Sequence, residues 1–369
     1  LPPKRKHSSV KIQPYLAPDV VRHRGSWEPY QMYPLHIFQS EASHLIMERK
    51  QIGKSGLFVS ELCLGCMTFG EPKRGNHAWT LPEEQSKPLI RQALDAGIDF
   101  FDTANVYSDG SSEEILGRVL WSWVKRDEIV LATKVFGDEN PNWEGLSRRI
   151  IMRQIDNSLN RLRTDYVDLY QIHRWDPVTP IEETMEALND VVRSGKARYI
   201  GASSMHAWQF AKAQQVAKEN GWARFISMQN QINLIYREEE REMIPLCLDQ
   251  GVGLIPWSPI ARGKLARPVG ISTPRAKTDK MLEKMYSRTI DADNAVISNV
   301  EAIAKEIGCP MVQVALAWLR QKTGVSAPII GYTRSAQFEQ MLGSLNLVLD
   351  QEMLDRLEAP YIPHVPVGF

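Results

Sequence analysis

Eight apolar, β-rich runs begin near residues 62, 98, 129, 167, 199, 225, 253 and 326, and the first seven recur every 26–38 residues with a helical pattern after each. Alternation at this interval forces successive strands to lie parallel, because the helix between them carries the chain back in a right-handed crossover. Eight such units predict a closed (β/α)₈ barrel. The last gap, 73 residues, predicts an insertion after strand seven. One unit shows the local signals well. After VDLYQIH, Thr179-Pro180-Ile181-Glu182 reads as a capping box with Pro at the first helical position. Ile181, Met185, Leu188 and Val192 then repeat at helical spacing, and Gly195 ends the element. Ser111-Ser112-Glu113-Glu114 is expected to open another helix in the same way. Internal sequence repetition is otherwise weak, which argues against a solenoid or a propeller.

At 369 residues the chain accommodates one barrel of roughly 250 residues with insertions. Residues 1–46 stand apart, with six prolines, no strand or helix period, and His7, His23, His36 and His44 at no metal-ligand spacing. They read as an irregular or disordered extension, and residues 47–369 as the barrel. Lys4-Arg5-Lys6 reads as a solvated tail, and strand one is expected only after a short segment, Gln51–Ser60. Acidic and basic residues number 44 each, so charge gives no case for nucleic acid or a membrane surface as a partner. There is no membrane-spanning apolar run and no signal-peptide core in the N-terminal residues, which predicts a cytoplasmic protein. Four cysteines make no disulfide framework. Cys63 and Cys66 form a C-x-x-C, yet Cys247 and Cys309 supply no second pair, so no metal is expected. At strand spacing Cys63 and Cys66 face opposite sides, one into the barrel and one toward the helices.

In such a barrel the active site lies at the carboxyl ends of the strands. Asp102, Tyr107, Lys134 and His173 stand at or just beyond the ends of IDFFDTA, IVLATKV and VDLYQIH. A tyrosine beside a lysine, an aspartate and a histidine is a proton donor, since a nearby ammonium favours the phenolate left behind. A lysine closing a β-rich strand needs a counter-charge, and Asp102 can supply it. Met67, Phe136, Trp175 and Trp257, also at or after strand ends, are expected to form an apolar, aromatic substrate wall. No G-x-G-x-x-G follows any strand, so a Rossmann dinucleotide site is not supported. Barrels often bind phosphate in the loops after strands seven and eight. Arg262-Gly263-Lys264 and Gly331-Tyr332-Thr333-Arg334-Ser335 occupy those loops.

The stretch from Asp102 to Tyr107, then Lys134, then His173, resembles the tetrad of the aldo-keto reductases. LGCMTFG at 64–70, GASS at 201–204, SMQNQ at 227–231 and PWSPIARGKL at 256–265 agree in order, so the resemblance runs from about Met47 to the C-terminus. YQIHRWDP and GKARYIGASSMHAWQFAKAQ are most similar to fungal members, including reductases of polyketide mycotoxin pathways and aryl-alcohol dehydrogenases. The resemblance implies NADPH-dependent reduction of an aldehyde or ketone, with Tyr107 donating the proton and His173 orienting the carbonyl. It also implies an extended dinucleotide whose amide lies near Ser203, Ser204 and Gln229 and whose ring stacks on Trp257. Ser258, Ile260, Gly263 and Lys264 would wrap the pyrophosphate, and Gly331, Arg334 and Gln337 would meet the adenosine end. Two departures touch those contacts. The family commonly has Ser-Asn where this chain has Ser203-Ser204, and Q-x-x-E-N where it has Gln337-Phe338-Glu339-Gln340-Met341. The expected partner is a small carbonyl compound, with the oligomeric state open and a monomer compatible. Two alternatives stay open: an alcohol dehydrogenase running the same steps backwards, and a cofactor-sensing binding subunit like the potassium-channel β subunits on this fold.

Overall fold

The structure, a computed structural model, describes residues 47–75, 78–137, 145–271 and 280–366; the extension expected over 1–46 lies outside the described residues. Strands β3 (Cys63–Gly65), β4 (Phe100–Asp102), β5 (Val130–Val135), β6 (Val167–Ile172), β7 (Ala197–Ser203), β8 (Phe225–Gln229), β9 (Gly253–Leu254) and β10 (Ile329–Ile330) form one parallel sheet. Its order is β10-β3-β4-β5-β6-β7-β8-β9. Beyond the short last strands the ring closes through Ile329 N donating to Pro256 O at 2.8 Å, and through Ser326 N donating to Leu254 O at 2.8 Å. The fold is the (β/α)₈ barrel that the strand rhythm predicts.

A hairpin precedes it. β1 (Arg49–Gln51) and β2 (Phe58–Ser60) pair antiparallel in the segment expected only as a lead-in to strand one. The turn passes through Gly53 at φ +54, where an added Cβ would lie 2.3 Å from Gly251 O. Glycine is needed there because Lys54 N donates to that same carbonyl at 2.8 Å, drawing the two backbones together. Ile52, Leu57 and Val59 of this hairpin pack in one cluster with Cys63, Phe100, Val130, Ala132, Leu169, Ile255, Ala327 and Ile329. That cluster is the lower barrel interior, plugged by the hairpin.

Helices α1 (Glu83–Asp95), α2 (Ser111–Val119), α3 (Arg148–Leu162), α4 (Ile181–Arg193), α5 (Ala207–Glu219) and α6 (Met243–Gln250) follow the first six barrel strands. The long gap before β10 holds α7 (Lys280–Tyr286), α8 (Ile290–Ile307) and α9 (Met311–Arg320). After β10 come α10 (Ser335–Leu342) and α11 (Gln351–Glu358). The second core cluster packs helices against the outer sheet face and contains Cys66, whereas Cys63 lies in the inner one, as strand geometry requires. No single helix among the described residues is long and apolar enough to cross a membrane.

The two expected capping arrangements are not the ones formed. α4 is preceded by Pro180 with no side-chain cap, because the Thr179 side chain bonds Asp176, whose carboxylate also takes Leu146 N at 2.7 Å and Val178 N at 2.8 Å. α2 starts from Gly110 at φ +82. Ser111 instead accepts Glu71 N at 2.8 Å and Ser112 donates to Cys66 O at 2.8 Å, so both serines hold neighbouring loops rather than the helix end.

Candidate active site

Period-two alternation decides what enters the barrel mouth. On β5, Val130 and Ala132 face inward, so Lys134 does too; on β4, Phe100 carries Asp102 inward, and on β6, Leu169 carries Gln171. At that level the interior is full. A Cβ on Gly201 would lie 2.3 Å from Ser227 Oγ and 3.1 Å from Gln171 Cγ.

Lys134 is fully buried, and its Nζ pairs closely with Asp102 Oδ1, donates to Thr103 O at 2.9 Å and lies 3.1 Å from Tyr107 Oη. Burial alone would depress the ammonium, but the Asp102 carboxylate and the Tyr107 oxygen outweigh it and raise Lys134 above the ordinary lysine range. The lysine is therefore charged at neutral pH. The other carboxylate oxygen, Asp102 Oδ2, accepts Gln171 Nε2 at 2.9 Å and Gln229 Nε2 at 3.0 Å. These bonds leave the aspartate fully engaged, its charge matched and its lone pairs occupied.

Tyr107 sits in a half-buried loop at the open end, and its ring meets that of His173 edge-on with centres 5.7 Å apart. His173 N donates to Val135 O at 2.9 Å, so the residue continues the β6 ladder one step past the strand. Burial, Arg174 and Lys134 hold its imidazole well below the usual histidine range. A neutral ring at this place can donate or accept a hydrogen bond without adding a second positive charge beside Lys134. The four residues picked from strand ends thus converge on one spot.

Ser203 and Ser204 are buried at the end of β7, with their hydroxyls 3.4 Å apart. Ser204 also accepts the Trp257 indole N–H at 3.0 Å, which holds that half-buried ring in place. Gln229 turns its Nε2 inward to Asp102 and to Gln171 Oε1 at 3.2 Å, leaving its own carbonyl uncommitted by those bonds. Ser258 (φ +54), Ala261 (φ +48), Arg262 (φ +52) and Gly263 (φ +95) give the loop after β9 a run of left-handed backbone. Ser258 Oγ accepts Arg262 N at 3.1 Å there, and Ile260 O accepts Gly263 N at 2.8 Å. Lys264 lies 3.7 Å from the buried Asp293 and over the Tyr286 ring, so an anion would meet it already oriented by the insertion.

Gly331 and Arg334 are exposed after β10, Arg334 immediately before α10. Gln337 directs its carbonyl to Thr333 N at 3.0 Å and so braces that loop. Sequence inspection missed Arg267. Burial and the neighbouring Arg334 charge hold its guanidinium below the ordinary arginine range. Its guanidinium lies against the left-handed loop, where a Cβ added at Gly263 would come within 2.5 Å of Arg267 Nη2; with Lys264 in the same loop, the residues present fit a phosphorylated nucleotide. Nothing local in the sequence marks Arg267, since Arg334 lies far along the chain. Gln171 was also missed, although its inward parity with Leu169 was legible in VDLYQIH. Met67, Phe136, Trp175 and Trp257 are all half-buried around the strand ends, and Trp175 meets Trp208 with ring centres 6.0 Å apart.

The aldo/keto reductase family matches residues 61–362. A versiconal hemiacetal acetate reductase of Aspergillus parasiticus is 47% identical over 339 residues, covering 86% of this chain and 98% of that protein. A Schizosaccharomyces pombe protein named as an aryl-alcohol dehydrogenase is 43% identical, covering 86% of this chain and 96% of its own length. An aldo-keto reductase of Alternaria alternata is 42% identical, covering 86% and 93%. With a barrel of the required topology, a convergent site at its carboxyl end and relatives spanning nearly their whole lengths, the chain belongs to the aldo-keto reductase family of oxidoreductases.

Proposed function

We propose that this protein reduces an aldehyde or ketone, aryl or polyketide-derived, to the alcohol with NADPH. The observation that carries this reading is the Tyr107 hydroxyl 3.1 Å from an ammonium that Asp102 anchors. When bound, the cofactor supplies the hydride that adds to the carbonyl carbon. Tyr107 gives its proton to the carbonyl oxygen, and Lys134 stabilises the phenolate that remains. The neutral His173 imidazole, edge-on to Tyr107, orients the same oxygen. Ser203, Ser204 and Gln229 are suited to hold a carboxamide and Trp257 a flat ring, while Lys264, Arg267 and Arg334 suit the phosphates. The half-buried Met67, Phe136, Trp175 and Trp257 favour an aromatic substrate over a sugar-like one. The named activities of the Aspergillus and Schizosaccharomyces relatives agree with such a substrate class.

The test is NADPH consumption across aryl aldehydes, quinones and hemiacetal-forming carbonyls, in the parent and in Tyr107→Phe. Loss of one hydroxyl is expected to lower kcat by ~10²–10⁴-fold while NADPH affinity stays near the parent value. Equal turnover by the two proteins would refute the mechanism. Tight cofactor binding with no carbonyl reduced by the parent would favour a binding subunit instead.

A further inference from the structure

Arg174 is the residue next to His173, and no carboxylate among the described residues pairs with it. Among the described residues its one hydrogen bond is to its own neighbour, Nη1 donating to His173 O at 2.7 Å. Three other half-buried arginines are each matched by a carboxylate: Arg126 by Asp168 at 2.7 Å, Arg161 by Glu113 at 2.6 Å and Arg237 by Glu358 at 2.6 Å. Burial holds the Arg174 guanidinium below the ordinary arginine range, and the Tyr107 oxygen is near enough to act against that shift. A guanidinium has several planar N–H donors, and the half-buried Arg174 commits one of its nitrogens to His173 O. The remaining donors are in a position to take an anionic oxygen that arrives at the barrel mouth.

The next residue along adds a second element. Trp175 meets Trp208 at an interplanar angle of 61°, and Trp208 is 62% exposed on the first turn of α5, at the same end of the barrel as His173. A single exposed tryptophan means little, but an indole pair set edge to face presents an open ring face to anything flat that enters.

We propose that Arg174, Trp175 and Trp208 form a subsite for aromatic carbonyl compounds that carry an ionised oxygen, a carboxylate or a phenolate, at a ring position away from the reacting carbonyl. The subsite rests on the carbonyl-reductase reading above and narrows it. Arg174 grips the anion, the indoles hold the ring, and the carbonyl is left facing Tyr107 and His173. Arg174 is thereby a specificity residue, with no part in the proton transfer.

The experiment compares 4-formylbenzoate with its methyl ester, which has the same ring and aldehyde but no charge, using NADPH and the full chain. Arg174→Gln is expected to lower the ratio of kcat/KM for the acid to that for the ester by about 10- to 100-fold, mostly through KM, as befits one charge-assisted contact. Arg174→Lys keeps the charge without the fork and is expected to fall between parent and Gln. Trp208→Ala is expected to lower kcat/KM for both aryl substrates relative to hexanal. A ratio unchanged in Arg174→Gln would overturn the proposal, because the arginine would then act only through the His173 carbonyl. Quenching of tryptophan fluorescence by 4-formylbenzoate, with no cofactor added, separates the subsite from turnover. Weaker quenching in Arg174→Gln supports the subsite even where the parent reduces nothing, a result that would count against carbonyl reduction alone. Equal quenching in Arg174→Gln and parent overturns it.

Discussion

Replacing Lys134 by methionine tests the central pair directly, because methionine has similar length and no charge. In the parent, Nζ is fully enclosed by Asp102, Thr103 O at 2.9 Å and Tyr107 Oη at 3.1 Å. Removing it leaves the Asp102 carboxyl, 2% exposed, without its counter-charge. Breaking a buried pair from one side costs about 3–5 kcal/mol. The Gln171 and Gln229 amides still donate to Asp102 Oδ2, at 2.9 and 3.0 Å, which places the expected loss at the lower end of that range. Adding Asp102→Asn removes that carboxyl. The double variant is therefore expected to be more stable than the sum of the single losses allows, with a coupling energy of about 0.5–3 kcal/mol. Urea denaturation of the parent, the two single variants and the double variant measures this coupling. Carbonyl reduction should fall by ~10²–10⁴-fold in every chain lacking Lys134, the stability-restored double variant included, which separates catalysis from folding. Strict additivity of the two single losses, or a loss below about 1 kcal/mol for Lys134→Met, would show that the pair is not coupled as its geometry requires.

Arg334→Ala is expected to weaken NADPH by roughly ten- to a hundredfold and spare NADH, since a guanidinium grips the ribose phosphate that only NADPH carries; equal weakening of both cofactors in a titration would exclude it as the selector. For His173 the folded-state pKa is lowered, so the unfolded chain binds the proton first and stability drops as pH falls below about 6.5. His173→Gln should accordingly lose less stability than the parent between about pH 7 and pH 5, and an identical acid loss in both proteins would contradict the assignment. Beginning the chain at Met47 is expected to leave the melting temperature and turnover unchanged, because the tetrad and all eight strands of the described barrel lie beyond it; a clear drop in melting temperature would show that residues 1–46 pack on the barrel.

Much of this molecule was legible in its sequence because strands announce themselves by composition and spacing. The eight barrel strands fall within a few residues of the apolar runs, and inward parity with Val130 and Phe100 fixes where Lys134 and Asp102 must point. Tyr107 and His173 follow from the same geometry, since barrels gather strand ends. What the sequence could not show is which polar groups meet. Thr179 and Ser111 carry the local chemistry of helix caps, yet Asp176 and Glu71 take them, because hydrogen bonds to other loops compete with the helix end. The β1–β2 hairpin escaped notice because its strands are three residues each and its partner carbonyl belongs to Gly251. Gln171 against Asp102, and Trp208 against Trp175, are neighbours only after the barrel closes. Periodicity along a chain encodes which face a residue occupies. Contacts between loops depend on how distant segments pack, and that is decided by the tertiary fold.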